Sequence, residues 1–399
     1  MELLTGVRVV DFTSVLSGPF CTFQLAQLGA EVIKIELPGS GDLARQLGAN
    51  PDLNRRLMGT SFLAQNAGKR SVTVNLKSDA GKEIVRRLVA RADVVVENFR
   101  PGVMERLGLG YEALCRIKPD LVYCAISGFG SDGPLRDRPA YDQIVQGISG
   151  LMSVTGDRAT APLRAGYPAA DTSGGINAAF AIAAALYRCA KTGKGDRIDV
   201  SMLEATIGAM AWVVSNLLIG GVAPEPVGNE NMTASPSGAF RTRDGLINIA
   251  ANSQAEYVRL CELIGRADLA IDARYADREE RMRRRPELRL EIERALAAKS
   301  AAEWVALLTA HGVAAGEVLS VPQVMAHPQT AERGFVKSVP GVPGVIDEVR
   351  VLRPGFRLAS GDPAPRSAPP GLGADTDAVL EELGFSREQI GALRGDAVV

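Results

Sequence analysis

Histidine is almost absent from this chain, which has only His311 and His327 among its 399 residues. A catalytic triad needs a histidine base, and most zinc sites use histidines or closely spaced cysteines. Five scattered cysteines form no Cys-x-x-Cys pair: Cys21, Cys115, Cys124, Cys189 and Cys261. The sequence therefore nearly excludes a histidine-based triad and a zinc site, and we predict no metal. Scattered cysteines in odd number favour a reducing cytosol over a disulfide framework.

Glycine-rich phosphate loops are also missing. No Gly-x-Gly-x-x-Gly follows the first predicted strand. Residues 17–19 read Ser-Gly-Pro instead, and the proline removes a phosphate-facing N–H group. No Walker-type loop is present either. A dinucleotide-dependent oxidoreductase is therefore disfavoured.

Neither charge nor hydropathy indicates a polymer or a membrane as partner. The chain has 45 basic and 46 acidic residues and a net charge of −1, which argues against nucleic acid and membrane surfaces. Its first residues lack the basic and apolar segments of a secretory signal. The most apolar stretch, residues 205–222, contains Ser215 and Asn216. We interpret it as a buried helix, in the core or at a subunit interface, of a cytoplasmic protein.

What the sequence does contain is an alternation of strand and helix patterns in its first third. Short apolar runs predict buried strands at 7–11, 31–36, 71–75, 94–96 and 121–126. Amphipathic segments between them predict helices, for example at 81–91. This alternation indicates an α/β fold with a mainly parallel, doubly wound sheet. Ligands of such sheets bind beyond the carboxyl ends of the strands, so the candidate loops are 13–19, 98–102 and 127–130.

Basic residues cluster around these three loops: Lys69, Arg70, Lys77, Arg100, Arg106, Arg136 and Arg138. Each alone is ordinary for a protein surface. Together they could hold a phosphorylated ligand through charge-assisted hydrogen bonds. The residues alone leave both interpretations open.

One carboxylate stands between a proline and a glycine pair in the segment Tyr-Pro-Ala-Ala-Asp-Thr-Ser-Gly-Gly, residues 167–175. An apolar helical pattern follows from residue 176, so the segment marks a helix N-terminus. Free N–H groups there favour an anion, which should keep Asp171 ionised and able to act as a nucleophile. The alternative is that Asp171, Thr172 or Ser173 only caps the helix.

Ordered motifs along nearly the whole chain resemble the family III CoA-transferases, the CaiB–BaiF group that includes formyl-CoA:oxalate transferase. The matching segments are residues 6–12, 17–19, 28–36, 38–42, 66–71, 97–102, 127–130, 168–171, 195–200 and 272–275. The resemblance places the nucleophilic aspartate of the family on Asp171.

The family's architecture implies a Rossmann-like large domain formed by residues 1–200 and 331–399. A linker, 201–227, would lead to a smaller inserted α+β domain at 228–330. Two such chains would interlock as a homodimer. The resemblance implies no permanently bound cofactor, with a coenzyme A thioester and a small carboxylic acid as substrates.

By the same resemblance, CoA would contact Val15, Leu16, Ser17, Val74, Lys77, Asn98, Phe99, Arg100, Arg106 and Tyr141. The backbone of Gly174 and Gly175 is our candidate for stabilising an oxyanion, and close packing is the alternative role for these glycines.

Departures from formyl-CoA transferase bear on the substrate. That enzyme has glutamine, arginine and lysine where this chain has Leu16, Leu37 and Pro139, and a glycine-run lid where residues 228–236 have none. The chain is more similar to members that pass CoA between dicarboxylates, with succinyl-CoA as first donor to test. Arg241 and the loop 229–231 are candidates for the second carboxylate.

Two other functions remain as alternatives. The α-methylacyl-CoA racemases of the same family need a histidine whose place falls near Tyr141. A tyrosine with a pKa of about 10 is a poor base near neutral pH. A non-catalytic acyl-CoA-binding protein is the other alternative, and the intact Asp171 motif argues against it.

Overall fold

A computed structural model describes residues 2–399. The chain divides into two compact units. The large unit comprises the chain up to Leu151 together with Arg164–Val222 and Ala331–Val399. The small unit comprises Met152–Leu163 and Ala223–Thr330.

Strands of the large unit form a six-stranded sheet and a hairpin, and those of the small unit form a three-stranded sheet. The strands are β1 Arg8–Asp11, β2 Glu31–Glu36, β3 Lys69–Thr73, β4 Val94–Glu97, β5 Val122–Ser127, β6 Asp196–Ser201, β7 Ser237–Arg241, β8 Leu246–Ala250, β9 Ala314–Glu317, β10 Val336–Val342 and β11 Ile346–Leu352.

Helices connect and cover these strands. They are α1 Ser17–Gln27, α2 Pro51–Arg55, α3 Thr60–Asn66, α4 Asp79–Val89, α5 Val103–Arg106, α6 Tyr111–Cys115, α7 Asp142–Ile148, α8 Ala169–Thr192, α9 Met202–Ala209, α10 Ala211–Leu218, α11 Gln254–Leu263, α12 Ala267–Ile271, α13 Arg278–Arg283, α14 Arg285–Leu296, α15 Ala301–Ala310, α16 Val321–Ala326, α17 Pro328–Glu332, α18 Thr376–Glu382 and α19 Arg387–Gly395. Short 3-10 turns lie at Leu43–Gln46, Met152–Val154 and Ala273–Tyr275.

The six-stranded sheet is entirely parallel and has the order β3-β2-β1-β4-β5-β6. Its central strands are apolar along their length because both faces are buried, as the fully buried β4 shows. The order reverses between β1 and β4, so a crevice opens at the carboxyl ends of these two strands. The predicted α/β, Rossmann-like fold is confirmed.

Two apolar layers cover the sheet. On one face α4 packs with the C-terminal helices α18 and α19, through residues such as Ile84, Leu380 and Ile390. On the other face α1 and α8 pack through residues such as Leu25 and Ile182. The amphipathic pattern predicted for residues 81–91 corresponds to α4, which begins two residues earlier because Ser78 caps it.

The apolar stretch at 205–222 does not enter the core of its own chain over its full length. It covers the end of α9 and all of α10, and no residue of α10 is buried. Trp212 is 66% exposed and Leu218 is 78% exposed. Residues 201–222, part of the predicted linker 201–227, group with the large unit.

The small unit has its own core between an antiparallel sheet, β7-β8-β9, and helices α11, α14 and α15. Tyr257, Ile292 and Trp304 are buried in it. The segment Met152–Leu163 groups with this unit although it precedes the predicted boundary at residue 228. Within residues 2–399, no helix is both long and apolar enough to cross a lipid bilayer.

Helices α1 and α8 approach each other closely through two glycines. A Cβ atom on Gly175 would lie 2.6 Å from the carbonyl oxygen of Ser17 and 3.0 Å from Cδ1 of Phe20. On Gly174 it would lie 2.9 Å from the Ser17 hydroxyl oxygen. Side chains at these positions would push the helices apart, so the glycines fix the start of α1 beside the first turns of α8.

We expect Gly175→Ala to destabilise the protein by about 1–3 kcal/mol, since the added methyl group overpacks a backbone contact. Gly391 in α19 offers a matched control, because a Cβ atom there meets nothing within 4 Å. Gly391→Ala should stabilise by about 0.5–1 kcal/mol through helix propensity. Urea unfolding measures both, and a Gly175→Ala protein as stable as the wild type would contradict this packing.

Candidate active site

A cavity of about 300 Å³ opens at the crevice between the carboxyl ends of β1 and β4. This volume is at the lower end of the range for small-molecule sites. The three loops predicted from the sequence all contribute to it. Its lining residues are Ser14, Val15, Leu16, Ser17, Asn98, Phe99, Arg100, Pro101, Ile126, Ser127, Gly128, Phe129, Arg136, Arg138, Pro139, Ala140, Tyr141, Asp171 and Met202.

The loop after β1 forms one wall, and its backbone is strained. Val15 has a φ of +69°, a left-handed conformation that branched residues rarely adopt. Asp42 Oδ1 accepts hydrogen bonds from the Val15 N–H at 2.9 Å and the Ser14 hydroxyl at 2.8 Å. The Asn98 amide accepts from the Ser14 N–H at 2.8 Å and donates to the Ser14 carbonyl at 2.9 Å. Side chains from two other loops therefore impose the shape of this wall.

Buried charges lie beneath the loop. Lys34 Nζ is 2.9 Å from Asp42 Oδ2, and all atoms of both side chains are essentially excluded from solvent. Lys34 also donates to the carbonyl of Thr13 at 2.6 Å. Burial alone would raise the pKa of Asp42. The charge of Lys34 and the N–H groups of Val15 and Ala44 outweigh burial and hold that pKa at about 2. Asp42 is therefore an anion throughout the neutral range.

Helix α8 brings Asp171 to the cavity, and a residue from another helix caps its start. The helix begins at Ala169, and no side chain at its N-cap, Pro168, pairs with the first turn. Instead Oδ1 of Asp142, the first residue of α7, accepts from the N–H groups of Ala170 at 2.9 Å and Asp171 at 3.3 Å. The prediction that Asp171, Thr172 or Ser173 caps this helix is therefore wrong.

The second oxygen of Asp142 is also occupied. Oδ2 accepts from the side-chain amide of Gln146 at 2.7 Å and lies 3.4 Å from the Arg164 guanidinium. Gln146 in turn accepts from the Ala165 N–H at 2.9 Å. This network fixes the segment that leads into α8.

The helix N-terminus does not lower the pKa of Asp171 as the sequence led us to expect. Burial, and secondly the negative charge of Asp142, raise the pKa of Asp171 to about 7. The physical reason is that Asp142 already occupies the N–H groups that would have stabilised a second anion. Asp171 is thus a carboxyl group that titrates near neutral pH and faces a cavity, a combination found at catalytic sites.

Gly174 and Gly175 do not present free N–H groups to the cavity. They stand in the second turn of α8, where an N–H group donates to the carbonyl four residues earlier. Neither glycine lines the cavity. Close packing against α1 therefore accounts for both, while the oxyanion role proposed for them gains no support.

Arginines and backbone donors from other elements line the same cavity as Asp171. Arg100, Arg136 and Arg138 line the cavity. Within residues 2–399, neither Arg100 nor Arg138 forms an ion pair, whereas Arg136 lies 3.5 Å from Asp137. The Ser17 hydroxyl donates to the Asp171 carbonyl at 3.0 Å, so the start of α1 adjoins the nucleophile candidate. In the described chain the N–H groups of Leu16 and Ser17 have no partner.

Most residues predicted to bind CoA meet in this cavity. Those that line it are Val15, Leu16, Ser17, Asn98, Phe99, Arg100 and Tyr141. Val74, Lys77 and Arg106 do not line it. The side chain of Val74 is buried in the core beneath α4. Lys77 is exposed on the loop after β3, and Arg106 is exposed at the end of α5, the short helix after β4.

Sequence reasoning missed Asp142 and Asp42. The only signal for Asp142 was its place directly after Tyr141, because its hydrogen-bond partners lie 28 and 29 residues further along the chain. Asp42 belongs to a motif that was noticed, Pro-Gly-Ser-Gly-Asp at 38–42. Its contact with Val15 depends on the tertiary fold.

Comparison with known proteins identifies the family of this chain. The model of CoA-transferase family III matches residues 4–376. The chain belongs to CoA-transferase family III. This CoA-transferase is 40% identical to a protein of Acetobacter aceti named acetyl-CoA:oxalate CoA-transferase, over 84% of its own length and 86% of that protein. It is 35% identical to succinyl-CoA:glutarate CoA-transferase of Mus musculus, over 96% of its own length and 87% of that protein.

The fold of the CoA-transferase also has a close match among solved structures. A CaiB/BaiF family protein from Brucella suis superposes with a TM-score of 0.83 at 34% identity. The superposition covers 96% of this chain and 99% of that one. The family resemblance seen in the motifs is confirmed.

A raised pKa makes stability depend on pH with a definite sign. Folded Asp171 keeps its proton up to about pH 7, whereas the unfolded residue loses it near its ordinary value of 3.8. The folded state therefore binds more protons between these values and loses stability as the pH rises through them. Asn at this position has no such dependence.

We expect the stability of Asp171→Asn relative to the wild type to increase from pH 4 to pH 7 and to level off above that. Urea unfolding midpoints across this range give the difference. The same comparison in an Asp142→Asn chain should show a smaller increase, because one of the two causes of the raised pKa is gone. If the stability difference between Asp171→Asn and the wild type did not change with pH, the raised pKa of Asp171 would be contradicted.

Proposed function

We propose that this CoA-transferase moves CoA from an acyl-CoA to a small carboxylic acid, with Asp171 as the covalent carrier. The observation that supports it is a half-buried carboxyl group that lines a cavity with the free N–H groups of a helix start and with unpaired arginines. A carboxylate can attack the carbonyl carbon of a thioester or an anhydride. The N–H groups and arginines can stabilise the negative charge of the anions involved.

The first half of the reaction transfers CoA to the protein. Ionised Asp171 attacks the carbonyl carbon of the acyl-CoA, the C–S bond breaks, and an acyl-aspartyl anhydride and CoA thiolate result. The thiolate then attacks the aspartyl carbonyl carbon. The bond between the aspartyl carbon and the bridging oxygen breaks. This releases the donor acid as its carboxylate and leaves an aspartyl-CoA thioester.

The second half repeats these steps with the acceptor. The acceptor carboxylate attacks the aspartyl carbonyl carbon and expels CoA thiolate, which forms a new anhydride. The thiolate attacks the acceptor's acyl carbon, and Asp171 leaves as a carboxylate. No proton is gained or lost overall, which fits a chain with two histidines. The single proton requirement is that Asp171 is ionised at the start.

Each carbonyl addition places negative charge on an oxygen that needs hydrogen-bond donors. We assign this role to the N–H groups of Leu16 and Ser17, which line the cavity at the positive end of α1. Ser17 already contacts the Asp171 backbone. This assignment replaces Gly174 and Gly175.

The CoA moiety would lie along the wall formed by Val15, Leu16, Ser17, Asn98 and Phe99. Arg100 and Arg138 are unpaired cations at this wall and suit phosphate or carboxylate groups. The exposed Lys77, after β3, and Arg106, at the end of α5, remain candidates for the remote phosphates. No permanently bound cofactor is needed.

The acceptor is most consistent with a small dicarboxylate. Two relatives carry names with oxalate and glutarate as acceptors, and a second carboxylate requires a cation in the pocket. Arg138, like Arg100, lines the cavity without an ion-pair partner among residues 2–399, and we assign it to the second carboxylate. Arg241, the candidate from the sequence, is exposed on β7 of the small unit.

An interlocked homodimer is the assembly we propose. Helices α8 and α10 expose large apolar residues of the kind that a subunit interface buries. Phe180 is 73% exposed and Ile219 is 87% exposed. Trp212 and Leu218 of α10 are exposed as well, so the large unit leaves several large apolar side chains uncovered.

Asp171→Ala should lose several orders of magnitude in transfer rate while it still binds CoA, because only the covalent route is removed. The rate is measured with succinyl-CoA and a free acid, and CoA binding by calorimetry. Hydroxylamine trapping followed by mass spectrometry should locate the adduct on Asp171 in the wild type. Near-native transfer by the variant would overturn the mechanism.

A panel of acids tests the substrate class. With succinyl-CoA as donor, oxalate, glutarate and other small dicarboxylates should be better acceptors than monocarboxylates of similar length. Arg138→Gln should reduce that preference by roughly tenfold, the effect of a lost charge-assisted bond. Preference for a monocarboxylate would contradict the proposed dicarboxylate acceptor but not the CoA-transfer reaction. Racemisation of a 2-methylacyl-CoA without any acid would instead support the racemase alternative.

Sedimentation velocity tests the assembly. The wild type should sediment as a dimer, and Trp212→Glu with Leu218→Glu should weaken it strongly, since two charges would be buried in an apolar interface. Leu290→Glu, on an outward position of α14, is the control and should leave the dimer intact. A monomeric wild type at micromolar concentration would refute the proposal.

A further inference from the structure

The cavity wall that contains Val15 has a conformational feature with no role in the proposed reaction steps. Val15 is a branched residue in a left-handed conformation, next to the two N–H groups assigned to the oxyanion. Backbone strain of this kind persists only where the surroundings enforce it. A neighbouring group must therefore hold Val15 in the left-handed conformation.

Asp42 is the group in contact with the strained residue. One oxygen, Oδ1, accepts three hydrogen bonds, from the Ser14 hydroxyl at 2.8 Å, the Val15 N–H at 2.9 Å and the Ala44 N–H at 2.9 Å. The other oxygen pairs with the buried Lys34 at 2.9 Å. The carboxylate thus joins the cavity wall to a cation in the core of the sheet.

Asp42 is itself held rigidly. Its N–H donates to Glu36 Oε1 at 2.9 Å, and Arg45 binds both oxygens of Glu36 at 2.7 Å. Arg45 also donates to the carbonyl of Pro370 at 3.3 Å. All three charged side chains, Glu36, Asp42 and Arg45, are buried. The position of the carboxylate is therefore set by the core and not by the loop.

We propose that Asp42, oriented by Lys34, is a positioning residue that forces Val15 into its left-handed conformation and so aims the Leu16 and Ser17 N–H groups into the cavity. The proposal rests on the proposed function for the role of these N–H groups. It assigns Asp42 no contact with substrate. Without the acceptor at position 42, Val15 relaxes to a negative φ, and the peptide planes that follow it rotate away from Asp171.

The test removes the acceptor without leaving a buried charge. Lys34→Met with Asp42→Asn keeps an oxygen for the Val15 N–H, whereas Lys34→Met with Asp42→Leu has none. The two chains share the loss of the ion pair, so they differ only in the acceptor. We expect the Leu chain to bind CoA about five- to thirtyfold more weakly than the Asn chain, which is the equivalent of the cost of left-handed valine. The kcat for transfer should fall as well, because the oxyanion that the Leu16 and Ser17 N–H groups are assigned to stabilise forms only during the reaction.

Glycine at position 15 supplies the rescue. Glycine adopts positive φ freely, so with Val15→Gly in both chains the difference in CoA affinity should shrink to about twofold or less. A role of Asp42 in stability alone would leave the difference unchanged by Val15→Gly. Equal CoA affinity of the Asn and Leu chains, or an undiminished difference with glycine, would overturn the proposal.

A second comparison does not depend on the double variants folding. Val15→Gly and Val15→Ala both remove the branched side chain from an otherwise native protein, and only the cost of positive φ differs. The Gly protein should unfold at a higher urea concentration than the Ala protein, and equal midpoints would refute the strain. Failure of the proposed function is distinguishable, because a wild type that binds CoA but transfers none leaves these affinity measurements intact.

Discussion

Two carboxylates share the start of helix α8, and the chemistry of the site depends on which of them takes its N–H groups. Asp142 accepts hydrogen bonds from them, so Asp171 is left half-buried beside a like charge with a pKa of about 7. An anion in that position is high in free energy and is a stronger base than an exposed aspartate. In the mechanism we propose, this anion would be stabilised by forming a bond to an acyl carbon, at a cost in the stability of the fold.

Much of the fold was predictable because its strands are buried on both faces and therefore read as apolar runs. The predictions at 31–36 and 94–96 agree with β2 and β4 almost to the residue. The prediction at 71–75 was displaced, because β3 begins at Lys69. Lys69 is buried against Asp11 at 3.1 Å, and a hydropathy pattern assigns no strand to a charged residue.

The site was predictable in its position but not in its electrostatics. Parallel strands bring their following loops to one edge, so Ser17, Asn98 and Asp171 could be expected together. The pKa of Asp171 could not, since it depends on Asp142 from a different helix. The left-handed Val15 could not either, because valine in sequence indicates extended backbone and only the tertiary contact with Asp42 opposes this.

The large unit closes its sheet with the last residues of the chain. Val379, Leu380, Ile390 and Val398 complete the apolar layer over Val72 and Ile84, and the Asn75 N–H donates to the carbonyl of Val398 at 2.7 Å. Between the end of β3 at Thr73 and the start of α18 at Thr376, about three hundred residues are synthesised while one face of the central sheet still lacks its cover. The small unit consists of the continuous segment Ala223–Thr330 and the short segment Met152–Leu163, so its core can form as soon as Ala223–Thr330 has been synthesised. A nascent chain of this architecture should thus need protection of its first-made half longer than of its middle.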